Sequence, residues 1–115
     1  MRFLGYTLAN EAELPTEPPP PELYEEMGKF VEEAVKAGVI VATGGISPTS
    51  EGRKITLKSG EFSVVDGPFA EAKEIVGGWC LMECRDLAEA TEWSKRFLSV
   101  LGEGEVRVRP TSGPE

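Results

Sequence analysis

The sequence predicts an α+β domain, and three observations carry that prediction. Two segments, Glu22 to Ala37 and Leu87 to Leu101, repeat apolar residues at helical spacing. Short alternating or apolar runs flank each of them, and one pair of alternating runs is joined only by Ser59 and Gly60. Apolar periods near 3.6 and 2 follow from helix and strand geometry, so both kinds of element are present. At 115 residues, 40% apolar and 28% charged, the chain is a single globular domain spanning 1–115.

Phe3 to Leu8 reads as a first strand interrupted by Gly5. The acidic, proline-rich stretch that follows ends in Pro18 to Pro21, which supply no backbone donors and form a stiff surface connector into a helix. In that helix Leu23, Met27, Phe30, Val31, Ala34 and Val35 make the apolar stripe, and Gly38 is the C-terminal stop. Val39 to Ala42, apolar without alternation, reads as a buried strand, and Thr43 to Gly52 as a loop. Ile55 and Leu57, then Phe62 and Val64, alternate on either side of Ser59-Gly60, which is the pattern of a β-hairpin.

Ile75 to Cys84 is the next strand. Asp86, with Glu89 three residues on, caps a second helix whose stripe is Leu87, Ala90, Trp93, Phe97 and Leu101 and which stops at Gly102. Glu105 to Pro110 alternates as a last strand with Val106 and Val108 inward, leaving 111–115 as a flexible tail. Strand, helix, strand, hairpin insert, strand, helix, strand is two βαβ halves, the order of a ferredoxin-like sandwich with both helices on one face of an antiparallel sheet. The chain offers no third helix for the other face. A second copy is the natural cover, so a homodimer is expected.

A net charge of −8 and scattered basic residues disfavour nucleic acid, which needs clustered Lys and Arg. No stretch has the apolar length of a membrane span or a signal peptide, so a cytoplasmic location without membrane association is expected. Cys80 and Cys84 would stand roughly 13 Å apart along a strand, beyond disulfide reach, and read as reduced core thiols. Without histidine or a CxxC pair, neither a metal site nor a cofactor is expected.

VVDGPFAEAKEIVGGW, Val64 to Trp79, is the segment from which function has to be read. Asp66-Gly67-Pro68-Phe69 suits a turn, with Phe69 anchored in the core. Glu71, Lys73 and Glu74 follow, then Gly77-Gly78, and paired glycines within a strand signal a bulge or a close approach. Together they predict a cleft floored by Gly77 and Gly78, with Glu71 and Lys73 at its mouth. Tyr6 and Trp79 are candidate lining aromatics.

The same segment resembles the signature of the DGPF domain proteins, a branch of the YCII-related superfamily. The likeness continues through AGV (Ala37 to Val39), LAEATEW (Leu87 to Trp93) and EVRVRP. It implies a dimeric ferredoxin-like α/β barrel with a pocket between sheet and helices, and a poorly defined biochemical role. Similar bacterial members are associated with extracytoplasmic-function sigma factors, so a sigma-factor partner is implied too. The superfamily's enzyme-like branch uses a His and Asp pair, and this chain has no His. That chemistry is therefore not carried over.

Two functions follow. One is a module binding a small polar ligand or a partner through Tyr6, Asp66, Glu71, Lys73, Gly77 and Gly78. The other is a small enzyme acting on a polar metabolite, with Asp66 or Glu71 as base and Lys73 as electrostatic stabiliser.

Overall fold

The computed structural model describes residues 1–9, 19–69 and 75–113. Its elements run β1 (Arg2–Ala9), α1 (Pro21–Lys36), β2 (Ile40–Gly45), a 3-10 turn (Thr49–Glu51), β3 (Arg53–Lys58), β4 (Glu61–Asp66), β5 (Ile75–Glu83), α2 (Leu87–Leu101) and β6 (Arg107–Pro110). β1, β2, β5 and β6 form one antiparallel sheet in the order β2-β5-β1-β6, while β3 and β4 pair only with each other. This is the strand order of the ferredoxin-like topology, with the hairpin as an insert between its second and third strands.

Both helices end as their sequences foretell. At the end of α1, Gly38 takes φ 75°. Its N–H donates to Val35 O, and that of Val39 to Ala34 O, both at 3.0 Å. This is a Schellman motif, with buried Ala34 and Val39 supplying the apolar pair that usually accompanies it. At the start of α2, the Asp86 carboxylate accepts from Glu89 N–H at 2.9 Å. The reciprocal half of the box shifts by one residue, because Glu89 Oε1 accepts from the N–H of Arg85. Gly102 closes α2 in the left-handed region.

The core is Phe3, Val39, Met82, Cys84 and Ala90, with Cys80, Trp93 and Val108 packed against it. It lies between the sheet and the helices. Between α1 and α2, Phe30 stacks obliquely on Trp93 and Phe97 at 6.1 and 6.3 Å. The Arg96 guanidinium lies over the Trp93 ring and pairs with Glu33.

Several expectations need correcting. β2 is an exposed edge strand rather than a buried one, and it runs on through Gly45 where a loop was expected. Gly44, read as part of that loop, serves a close approach: a Cβ on it would lie 3.3 Å from the Trp79 indole. Val35, Leu87 and Leu101 fall outside their buried stripes, since helical spacing does not fix the stripe's width. The tail begins later than expected, because Thr111 N–H donates to Arg2 O at 2.9 Å and extends the β6–β1 pairing.

Candidate functional site

Between the sheet and the two helices lies a cavity of about 190 Å³. Gly5, Thr43, Gly78, Cys80 and Met82 floor it from the sheet, and Phe30, Val31, Ala34, Trp93, Ser94 and Phe97 roof it from the helices. Glycine on this floor lets neighbouring side chains approach closely. A Cβ on Gly5 would meet Met82 Cε at 3.2 Å, and one on Gly78 would meet Thr7 Oγ1 at the same distance. The roof comes from the aromatic stripes of α1 and α2.

The lining is apolar apart from a few hydroxyls, and most of their hydrogen-bonding capacity is already used. Thr43 Oγ1 donates to Trp79 O at 2.8 Å, Ser94 Oγ donates to Ala90 O at 2.8 Å, and Thr7 Oγ1 accepts from Gly78 N–H at 3.0 Å. Thr7 keeps its proton to donate and Ser94 its lone pairs to accept. Burial pushes the Cys80 thiol above its ordinary range, with the Thr43 hydroxyl pulling weakly the other way. Cys80 is therefore a neutral thiol at physiological pH rather than a nucleophile.

The predicted site residues divide. Gly78 lines the cavity, whereas Tyr6 and Trp79, register partners one residue along from the helix-facing Gly5–Cys80 pair, border it but turn their rings to the opposite sheet face. Gly77 sits outside it: its carbonyl accepts from Ile46 N–H at 2.9 Å, and an added Cβ would meet only ordinary contacts at 3.8 and 3.9 Å. Glu71 and Lys73 lie outside the described residues. Asp66 is away from the cavity at the end of β4, its side chain 78% exposed and paired with Arg53 at 2.8 Å. Among the described residues no carboxylate lines the cavity.

The Asp-Gly-Pro-Phe turn has a structural task. Gly67 N–H donates to Gly52 O at 2.8 Å. A Cβ on Gly67 would fall 1.6 Å from Thr49 O, so no other residue fits without moving backbone. Thr49 is buried beneath this contact, and the Phe69 ring lies over Gly52. The turn clasps the two ends of the hairpin together at its root. Phe69 is half-buried there and does not belong to the core cluster, contrary to expectation. Phe30, Trp93 and Phe97 are the lining residues that sequence reasoning assigned only to packing. Their helical spacing is the same whether the space below is filled or open.

These features define the class first: a ferredoxin-like α+β domain with an apolar cavity between sheet and helices. The chain belongs to the family of the YCII-related domain, whose profile matches residues 1–110. It is also similar to an uncharacterized protein of Rhizobium meliloti, at 34% identity over 77 residues, 66% of this chain. The match spans 62% of that relative's length. Among solved structures it is similar to the 5-chloro-2-hydroxyhydroquinone dehydrochlorinase of Burkholderia phenoliruptrix in complex with 2,5-dihydroxybenzoquinone. The identity there is 17%, the coverage 99% of this chain and 96% of that one, and the TM-score 0.44, too loose a likeness to carry an inference. Among the described residues, no helix is long and apolar enough to cross a membrane.

Proposed function

We propose that this YCII-related chain is a binding module for a small ligand held in the cavity between sheet and helices. The observation that carries the reading is the lining: aromatic and aliphatic on all sides, with Thr7 keeping a proton to donate and Ser94 lone pairs to accept. A dry apolar cavity of about 150 Å³ is enough to take up benzene. The lining thus narrows the small polar ligand expected from the charged segment to a ring-sized, mainly apolar molecule with one or two polar atoms. Acid–base catalysis in this cavity is the weaker reading, because Asp66 is on the hairpin and no other described carboxylate faces the space. The proposal includes a homodimer that covers the open sheet face. A cytoplasmic setting and a sigma-factor partner, the latter implied by the family resemblance, complete it.

Trp93 lines the cavity from α2 and provides the readout. Titration with phenol, benzene and citrate, followed by indole fluorescence and calorimetry, is expected to show saturable binding of phenol and benzene and none of citrate. Val31→Phe, which fills the space from α1, should abolish that binding while leaving the far-UV spectrum unchanged. Equal responses to all three compounds, or full binding by Val31→Phe, would refute the reading.

A further inference from the structure

The β3–β4 hairpin is amphipathic, yet its apolar face meets no core. The register pairs Ile55 with Val64 and Leu57 with Phe62, which puts these four side chains on one face. The other face carries Lys54, Thr56, Lys58, Glu61 and Ser63 with a single apolar residue, Val65. A strand pair with one apolar and one polar face is built for burial on one side. Here the apolar side is open: Phe62 is 74% exposed, Ile55 68%, Leu57 60% and Val64 56%. Among the described residues, neither strand packs extensively on any element but the other. A lone two-stranded hairpin is marginal in water, so such a strip needs a covering partner.

The same chain also has a receiving surface. On the sheet face turned away from the helices, Leu4, Tyr6, Ile46, Val76 and Trp79 surround a shallow hollow of about 420 Å³. The chain as a whole is extended for its size, with a radius of gyration of 16.6 Å against about 13 Å expected. It exposes 8498 Å², where a folded monomer of this mass exposes about 6,200 Å². That excess is well above the ~800 Å² each partner loses in an ordinary stable interface. Charge does not oppose such a contact: Arg53, Lys54 and Lys58 against Glu61 and Asp66 leave the hairpin at +1 in a chain of −8.

We infer that the hairpin is an exchanged arm: in a pair of chains, each lays Ile55, Leu57, Phe62 and Val64 over the open sheet face of the other, with Phe62 in the hollow beside Trp79. Two-fold symmetry satisfies both surfaces at once, since each chain gives an arm and receives one. The Gly67–Thr49 clasp holds the arm at its root. The inference rests on the homodimer within the proposed function and specifies how that dimer is held.

Two measurements test it together. Sedimentation equilibrium on Phe62→Ser is expected to show a dimer dissociation constant raised on the order of 30-fold or more, as for removal of an aromatic anchor. Because Phe62 lies in solvent within its own chain, the variant should keep its fold. Separately, Phe62→Cys chains mixed with Ile46→Cys chains should form an inter-chain disulfide on mild oxidation, and neither variant alone should do so to the same extent. An unchanged dissociation constant for Phe62→Ser in a protein that is dimeric would sink the arm while sparing the dimer. Cross-linking of Phe62→Cys alone, equal to that of the mixture, would show arm against arm and overturn the exchange. A wild-type chain sedimenting as a monomer would remove dimer and arm together.

Discussion

β1 with β5, and β3 with β4, are antiparallel pairs written in the same alternating code, and their fates differ. In the first pair Phe3 and Met82 are register partners, buried under the helices. In the second, Leu57 and Phe62 are register partners facing solvent. Local pattern determines which residues share a face, but only the presence of another layer determines whether that face is covered. The body of the domain has its two helices as that layer. The hairpin has nothing equivalent within its own chain among the described residues.

The contrast is broken most sharply by truncating one side chain from each pair. Phe3→Ala should cost roughly 3–5 kcal/mol in denaturant unfolding. Phe62→Ala, measured at concentrations low enough to hold single chains, should stay within about 0.5 kcal/mol of wild type. Equal losses would mean that the hairpin strip is buried within one chain. The clasp between the two regions comes next. Gly67→Ala must displace Thr49 or the β4 end, and is expected to lower stability by about 1–3 kcal/mol. Hydrogen exchange should show the loss centred on 49–52 and 61–69 and sparing β1 and β5; protection lost uniformly would make the turn part of the body's own core.

The body alone should respond to alkaline pH. Burial is the main cause raising both the Cys80 and the Cys84 thiols, with nearby Glu89 and Glu83 adding to it at Cys84. From about pH 8.5 an unfolded chain sheds thiol protons that the folded chain retains. Stability is therefore fully present below that pH and falls as pH rises toward the folded thiol values. Melting temperature should decline as pH rises above about 8.5, and Cys80→Ala with Cys84→Ala should flatten that decline. A slope independent of both thiols would contradict the assignment. The smallest effect belongs to the hairpin root: the Arg53–Asp66 pair is exposed on both sides, so Asp66→Asn should change stability by no more than ~1 kcal/mol. A larger loss would give Asp66 a role that its solvent position does not explain.

Much of this fold was legible beforehand, and the reasons are local. Helix stops at Gly38 and Gly102 depend on a backbone conformation that glycine adopts readily, so the residue type alone predicts them. The Asp86 cap depends on a side chain reaching three residues along the chain. The Ser59-Gly60 turn, with φ of 52° and 78°, has the primed geometry that matches strand twist. Glycines chosen for what lies across the sheet are another matter. Gly44 read as a loop signal because nothing nearby in sequence announces Trp79, its partner in β5. Gly67 read only as part of a turn, although its position is dictated by the Thr49 carbonyl.

The sequence by itself determined the elements, their order and the face each presents, because these follow from spacing, capping and turn chemistry within a few residues. It also carried the family, through a motif that runs continuously along the chain. Tertiary structure alone decided three further things. It left a cavity under the Phe30, Trp93 and Phe97 roof, placed Asp66 at the hairpin root instead of at that cavity, and left one alternating pair uncovered. Each depends on the distance between surfaces far apart in sequence, and periodicity, which records direction, holds no information about that distance.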